Sequence, residues 1–184
     1  MQIKSTPISG LLEIIPKVHS DPRGWFLELF KEESFKQVSP AIKFVQENLS
    51  FSQKGVLRGL HLQLPPFQQA KLVTVISGRV LDIVVDLRKG STTFGESFRL
   101  ELSGMQHNIL LVPEGFAHGF VALEDSYFYY KCSSVYNPGS ETGIIWNDAQ
   151  LKIDWGIDNP ILSEKDTVLP TLDELLRKSV ISPS

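Results

Sequence analysis

The chain has 184 residues, with 18 basic and 21 acidic side chains and a formal net charge of −3. That length fits one domain with an ordinary core, and the nearly balanced charge excludes a global attraction to nucleic acid or to anionic membranes. The single cysteine, Cys132, excludes an internal disulfide and suits a reducing compartment. Without a signal-peptide pattern or an apolar run of membrane-spanning length, a cytoplasmic protein with no membrane partner is expected.

Short apolar segments rich in β-branched and aromatic residues follow one another along the chain and predict β-strands. They cover residues 11–15, 25–30, 43–52, 71–76, 79–87, 96–102, 107–112, 119–123 and 127–135. Turn-forming pairs such as Ser77-Gly78 and Pro138-Gly139 separate them. Many short strands at this spacing are typical of an all-β sandwich or barrel.

Two segments predict short accessory helices, residues 31–37 and 172–178. The second has Thr171 as its cap and Glu174 to close the first turn. No composition shift marks a linker, and no repeat of fixed period is present. One domain over residues 1–184 is therefore predicted, with an N-terminal strand segment (about 1–50), a barrel core (about 51–140) and a C-terminal segment (about 141–184).

Arg58, His61 and Lys71 form a cluster of ionisable residues among alternating apolar ones. A guanidinium, an imidazole and an ammonium together can hold an anionic, oxygen-rich ligand beside a titratable base. Because Arg58 and His61 are three positions apart, a regular strand would point them to opposite faces. Gly59 between them predicts a bulge that turns both side chains towards one cavity.

Pro113, Gly115 and His118 match the pattern Pro-x-Gly-x-x-His, which resembles the second signature of the cupin family. The resemblance implies an all-β, cupin-type jelly-roll barrel. In cupins the first signature supplies a His-x-His pair to a metal, whereas this chain has His61-Leu62-Gln63 at that place. Since glutamine is a poor ligand for transition metals, a barrel without a metal is expected.

Further motifs occur in a fixed order between Asp21 and Asp166. They include Arg58-Gly59-Leu60-His61, Gln69-Ala70-Lys71-Leu72-Val73, Asp86-Leu87-Arg88, Thr93-Phe94-Gly95, Trp146-Asn147-Asp148 and Leu162-Ser163-Glu164-Lys165-Asp166. Together they resemble the dTDP-4-dehydrorhamnose 3,5-epimerase family, although Thr92 and Gly156 stand where proline is usual. The resemblance implies an isomerase of dTDP-L-rhamnose synthesis, a homodimer without metal or cofactor, whose substrate is a dTDP-4-keto-6-deoxy sugar.

The same resemblance implies the catalytic residues: His61 as the base, Asp166 as its carboxylate partner and Tyr130 as the acid. Lys71 and His118 would line the sugar site. Tyr127 and Tyr129 lie close to Tyr130 in the sequence, and Tyr130 is predicted as the acid because Lys131 follows it.

The resemblance also implies the substrate-binding residues, which are Arg23, Phe26, Glu28, Gln46, Asn48, Arg58, Tyr136, Glu141 and Lys165. Arg23 and Arg58 would take the diphosphate, and Phe26 and Tyr136 would stack on the thymine base. The N-terminal segment would reach across the dimer to the partner's site.

These residue types suit inversion beside a ketone. The 4-keto group acidifies the protons at C3 and C5, so epimerisation needs a base on one face, an acid on the other and a stabilised enolate between them. Histidine is partly neutral at neutral pH because its ordinary pKa is about 6.5. A preorganised donor such as Lys71 can stabilise the enolate oxygen by about 2.7–4 kcal/mol.

Three alternatives remain open from the sequence. A related enzyme could epimerise only C3 or only C5, because no residue type indicates how many of these carbons react. A metal-dependent cupin would require bound iron, manganese or zinc. A non-catalytic nucleotide-sugar-binding cupin would have the same pocket without a working base, and residue spacing alone does not identify the nucleotide.

Overall fold

The computed structural model describes residues 1–177, most of whose regular elements are β-strands. The strands are β1 (Gln2–Ser5), β2 (Leu12–Ile15), β3 (Val18–Asp21), β4 (Gly24–Leu27), β5 (Gln46–Ser52), β6 (Leu57–Gln63), β7 (Lys71–Ser77), β8 (Arg79–Asp86), β9 (Ser97–Ser103), β10 (Ile109–Val112), β11 (Phe116–Ala122), β12 (Ser126–Cys132) and β13 (Glu141–Gly143). Every predicted strand segment overlaps one of them, which confirms the all-β class.

Two antiparallel sheets face each other and form the body of the fold. One has six strands in the order β1-β2-β10-β7-β12-β5, and the other has five in the order β13-β6-β11-β8-β9. Strands β3 and β4 form a separate two-stranded hairpin. Strands β1, β3 and β13 were not predicted because they are short, and β1 and β3 have no buried residue that would give them an apolar pattern.

The main core lies between the two sheets, where side chains such as Val73 and Phe128 meet Val84 and Phe120. A second core covers the other face of the five-stranded sheet, under the C-terminal segment that contains Trp155. Strand β8 therefore contributes to both cores, with Val84 on one face and Ile83 and Val85 on the other. Such double burial explains its nearly continuous apolar sequence.

The helices are short: α1 (Glu32–Lys36), α2 (Glu164–Thr167) and α3 (Leu172–Arg177). Helix α1 confirms the first predicted helix and packs Phe35 on the outer face of the six-stranded sheet. Thr171 and Glu174 form the expected reciprocal cap of α3, and Lys178 of that prediction lies outside the described residues. Helix α2 was not predicted, because four residues carry no periodic signal. No helix within residues 1–177 is long and apolar enough to span a membrane.

Asp86, at the end of β8, organises the loop that follows. Its carboxylate accepts hydrogen bonds from the Arg88 guanidinium at 2.7 and 2.9 Å, the Ser91 hydroxyl at 2.6 Å and the Thr93 hydroxyl at 2.7 Å. Burial opposes ionisation of this carboxyl, but these hydrogen bonds outweigh it and hold its pKa well below the ordinary value. The Asp86-Leu87-Arg88 and Thr93-Phe94-Gly95 motifs therefore serve the fold.

We expect Asp86→Asn to lower the free energy of unfolding by about 3 kcal/mol, because it leaves the Arg88 charge without its partner. Urea unfolding near neutral pH measures this loss. The stability that Asp86 contributes is complete above its unfolded-state pKa of about 3.9 and declines as the pH falls towards the lower pKa of the folded state. The free energy of unfolding should therefore fall less steeply at acid pH in the variant than in the wild type. Asp154→Asn breaks an exposed ion pair with Arg99 and should hardly change the free energy of unfolding. Equal losses of stability in the two variants would contradict the prediction.

Candidate active site

A cavity of about 280 Å3 opens between the two sheets. Its walls come from β6 and β11 on one side, from β7 and β12 on the other and from α2 at the rim. The predicted residues that line it are Arg58, His61, Lys71, His118, Tyr130, Lys165 and Asp166. The structure thus brings together side chains that lie more than 100 positions apart in the sequence.

His61 and Asp166 are in direct contact, with 2.6 Å between His61 Nε2 and Asp166 Oδ1. Asp166 is 3% exposed, and its other oxygen accepts a hydrogen bond from the Ser163 hydroxyl at 2.7 Å. Burial opposes ionisation of Asp166, but the hydrogen bonds from His61 and Ser163 outweigh it and hold the pKa of this carboxyl below its ordinary value. An ionised Asp166 can orient the imidazole and stabilise its protonated form.

Arg58 and His61 both line the cavity although they are three residues apart on β6. The pairing of β6 with β11 shifts register between His118 and Phe120, directly opposite this segment, as the predicted bulge requires. Gly59 has φ +121°, and a Cβ at this position would lie only 2.6 Å from Gly119 Cα. The bulge therefore depends on two facing glycines.

Lys71 and Tyr130 extend into the cavity from β7 and β12. Burial lowers the pKa of Lys71, and the nearby charges of Cys132, Glu141 and Asp82 oppose this shift in part. Burial raises the pKa of the Tyr130 phenol, which the Arg58 charge partly opposes. Burial therefore favours the neutral phenol that proton delivery requires and disfavours the Lys71 ammonium that enolate stabilisation requires, while the nearby Glu141 and Asp82 charges favour that ammonium.

The tyrosines of β12 differ in the face of the sheet to which their side chains point. Alternation along a strand places Phe128 and Tyr130 on the inner face and Tyr127 and Tyr129 on the outer face. Tyr129 donates its hydroxyl to Glu47 at 2.9 Å, whereas Tyr130 lines the cavity. Of these tyrosines, Tyr130 is thus the one whose hydroxyl is available to a ligand there.

His118 forms a second buried histidine–carboxylate pair, with 2.8 Å between its Nε2 and Asp82 Oδ2. His118 is directly opposite His61 in the pairing of β11 with β6. Beside them, the rings of Phe120 and Phe128 stack with their centroids 4.2 Å apart. The inner wall of the cavity is therefore partly apolar, which strengthens electrostatic interactions with a bound ligand.

A smaller cavity of about 110 Å3 shares His61, Lys71 and Tyr130 with the first. Its other predicted residues are Gln46, Asn48, Tyr136 and Glu141. The Gln46 side chain accepts a hydrogen bond from the Tyr136 backbone N–H at 2.8 Å and donates one to Asn48 at 3.0 Å. Through these shared residues the two cavities are adjacent and together could hold an elongated ligand.

Gln63 stands where cupins usually have a metal-binding histidine, and its side chain forms hydrogen bonds with neighbouring loops. Its amide donates to the Phe67 carbonyl at 2.6 Å and to the Val135 carbonyl at 3.2 Å, and it accepts from the Asn137 N–H at 2.7 Å. Among residues 1–177, no group of three or more histidine, cysteine, aspartate or glutamate side chains is arranged to hold a metal ion.

Arg23, Phe26 and Glu28 lie apart from these cavities within the same chain. Arg23 is at the turn of the β3–β4 hairpin, where it pairs with Asp21 at 2.6 Å, and Phe26 is 65% exposed. Glu28 follows the hairpin and lines a separate cavity near α1. The structure of one chain therefore does not join these residues to the predicted site.

The chain matches a family model described as dTDP-4-dehydrorhamnose 3,5-epimerase over residues 5–174. It belongs to this family of isomerases. Structural neighbours of the chain in this family are cupin-type jelly rolls, so the predicted fold is confirmed.

Individual relatives agree with this membership. The enzyme of that name from Shigella flexneri is 46% identical over 168 residues, 90% of this chain and 93% of that protein. The Legionella pneumophila 3,5-epimerase, solved with dTDP-4-keto-L-rhamnose, is 41% identical with a TM-score of 0.93, covering 100% of this chain and 98% of that one. ChmJ, a 3′-monoepimerase from Streptomyces bikiniensis solved with dTDP-quinovose, is 34% identical with a TM-score of 0.90, covering 97% and 91%.

Several residues in or beside this cavity were missed from the sequence. Asp82 is an acidic residue inside an otherwise apolar strand, and Ser163 precedes Asp166 by three positions in a capping pattern. Both patterns could have identified them. Phe120 and Phe128 carried no such signal, because aromatic residues in strands are typical of any core.

We expect Gly59→Ala to lower the free energy of unfolding by about 3 kcal/mol, because its Cβ would meet Gly119 Cα at 2.6 Å and the His118 carbonyl oxygen at 2.8 Å. Gly95 also has a positive φ, +79°, but an added Cβ there meets nothing within 4 Å. Gly95→Ala should therefore lose only about 1 kcal/mol, from backbone strain alone. Urea unfolding measures the loss of stability in each variant. Similar losses would mean that the close approach of β6 and β11 is not what requires glycine at position 59.

Proposed function

We propose that this chain converts dTDP-4-dehydro-6-deoxy-D-glucose to dTDP-4-dehydro-L-rhamnose by epimerisation at C3 and C5, in dTDP-L-rhamnose synthesis. One observation carries the proposal. The hydrogen-bonded pair of His61 and Asp166 belongs to the five-stranded sheet and α2, whereas Tyr130 belongs to the six-stranded sheet across the cavity. A sugar ring held between the sheets would have a base on one face and an acid on the other.

In the proposed reaction, the His61 imidazole takes the proton from the carbon beside the ketone. The electron pair of that C–H bond moves to the carbonyl, which becomes an enolate whose oxygen is stabilised by the Lys71 ammonium. Tyr130 then gives its phenolic proton to the same carbon from the opposite face, and the enolate returns to the ketone. Proton exchange with solvent restores neutral His61 and Tyr130 before the second carbon reacts.

Asp166 orients the imidazole in this mechanism and stabilises the imidazolium, without taking a proton itself. A phenol is protonated at neutral pH, as this role requires, and burial raises the pKa of Tyr130 further from neutrality. Positioned proton transfer contributes about 10²–10⁴-fold, so enolate stabilisation by Lys71 must supply a further part of the rate enhancement.

We infer that the nucleotide extends from the sugar site towards the smaller cavity. Arg58 and Lys165 would neutralise the diphosphate, and His118 would contact the sugar. The other contacts would come from Gln46, Asn48, Tyr136 and Glu141, which line the smaller cavity. The remaining predicted contacts, Arg23, Phe26 and Glu28, require a second chain.

We propose that the protein is a homodimer in which the β3–β4 hairpin completes the partner's site. An apolar patch on the surface supports the dimer. The outer face of the six-stranded sheet exposes Leu49, Phe51, Ile76 and Tyr127, with exposed fractions of 46–62%, and Phe51 contacts Tyr127 across β5 and β12. A contiguous apolar patch of this kind is typical of an interface.

A second candidate function is epimerisation at one carbon only. The similarity to ChmJ, named as a 3′-monoepimerase, favours keeping this candidate. The positions that incorporate deuterium from solvent distinguish the two activities.

In D2O, the wild-type protein should incorporate deuterium at both C3 and C5 of dTDP-4-dehydro-6-deoxy-D-glucose, as measured by mass spectrometry and NMR. We expect His61→Ala to reduce exchange at both carbons by about 10²–10⁴-fold, because the base is missing. Tyr130→Phe should still allow proton abstraction but should yield little inverted product. Tyr129→Phe, which removes a hydroxyl from the outer face, serves as the control and should behave as wild type.

Label at one carbon would support the monoepimerase, whereas tight binding without exchange in the wild-type protein would support a non-catalytic binding role. Wild-type exchange in His61→Ala would contradict the assignment of the base.

We expect a heterodimer of a His61→Ala chain and an Arg23→Ala chain, purified with two affinity tags, to regain about half of the wild-type activity. One of its two sites would combine an intact His61 with an intact partner hairpin. The matched control joins His61→Ala to Tyr130→Phe, whose defects each lie in their own chain's cavity, and should show no such recovery. Equal activity in both heterodimers would refute the hairpin exchange.

A further inference from the structure

Tyr136, Glu141 and Lys165 form a cluster where the two cavities meet. One carboxylate oxygen of Glu141 accepts a hydrogen bond from the Tyr136 hydroxyl at 2.6 Å and another from the Lys165 ammonium. The Glu141 side chain is 15% exposed and that of Lys165 is 51% exposed. Burial opposes ionisation of Glu141, but the bonds from Lys165 and Tyr136 outweigh it and keep its pKa below the ordinary value.

Lys165 connects this cluster to Asp166, the next residue of α2. Helix α2 has only four residues, and so short a helix is unstable unless other parts of the protein hold it. The Ser163 cap holds its start, with the hydroxyl accepting from the Asp166 N–H at 3.2 Å. The contact of Lys165 with Glu141 provides a second anchor within the turn that carries Asp166.

Strand β13 connects the same cluster to His61. It pairs with β6, and Gly143 lies directly opposite His61. Immediately beyond, Ile144 and Leu60 exchange backbone hydrogen bonds of 2.9 and 3.1 Å. Strand β13 therefore pairs with His61 through its backbone and contacts Lys165, the residue before Asp166, through the Glu141 carboxylate.

We propose that Glu141 is a positioning residue that holds α2 against β6 through Lys165 and thereby fixes the Asp166 carboxylate on His61. This role rests on the proposed functions of His61 and Asp166, and it differs from substrate binding because it operates in the free protein. A displacement of about 1 Å at a reacting group can reduce a rate about 10²-fold. Release of α2 should therefore reduce kcat even though Glu141 takes no part in proton transfer.

The first test is made without ligand. In protein labelled with 15N-histidine, the proton between His61 and Asp166 gives a downfield NMR signal, assigned by its absence in His61→Ala. We expect Glu141→Lys to abolish or broaden this signal and to lower kcat by about 10²-fold. The double variant Glu141→Lys/Lys165→Glu, which restores the ion pair with reversed polarity, should recover the signal.

Glu164→Lys is the matched control, because Glu164 is exposed on the same helix and the charge change is the same. Its signal and kcat should match those of the wild type. Glu141→Gln retains the side-chain shape and covers the case in which Glu141→Lys does not fold; it should weaken the signal and lower kcat by a smaller factor.

An unchanged histidine signal in Glu141→Gln and Lys165→Glu, with only KM increased, would overturn the positioning role and leave these residues as substrate contacts. The signal does not depend on turnover. A wild-type protein that is inactive on the proposed substrate would therefore overturn the proposed function, while the signal would still decide whether Glu141 positions Asp166.

Discussion

Strands β6 and β11 can bulge against each other because glycine occupies both facing positions. A side chain at Gly59 would meet Gly119 Cα at 2.6 Å, and one at Gly119 would meet the Arg58 carbonyl oxygen at 2.6 Å. The resulting register shift lets Arg58 and His61 share one cavity and keeps His61 opposite His118. This close approach of two backbones therefore fixes the positions of His61, His118 and Arg58 in the cavity.

The buried carboxylates impose a second physical constraint, because each needs hydrogen-bond donors. An isolated carboxylate inside a protein is strongly disfavoured unless it is hydrogen-bonded. Asp86 is stabilised by donors from its own loop, and this arrangement serves the fold. Asp166 instead obtains a donor from His61, 105 positions away in the sequence. The need for a hydrogen-bond partner therefore orders a local loop at Asp86, whereas at Asp166 it links the C-terminal segment to the cavity.

The charge of the cavity differs from that of the chain. The net charge of −3 gives no general attraction for anions, yet Arg58, Lys71 and Lys165 line one cavity between the sheets. Local recognition of a diphosphate and stabilisation of an enolate both require such concentrated positive charge in partly apolar surroundings. Glu141 and Asp166 limit the repulsion among these cations and, as we propose, keep α2 in place.

The sequence by itself determined the fold class and the strand segments, because β-branched and aromatic runs between turn residues are local patterns. It also contained the motifs around His61, His118 and Asp166, and hence the family, since these motifs are contiguous. Only the tertiary structure decided which of Tyr127, Tyr129 and Tyr130 faces the cavity, because the strand's orientation depends on its neighbours. It likewise revealed Asp82 as the partner of His118 and Glu141 as the partner of Lys165. Such contacts join distant segments, and their formation depends on how whole sheets pack, which no local pattern of residues encodes.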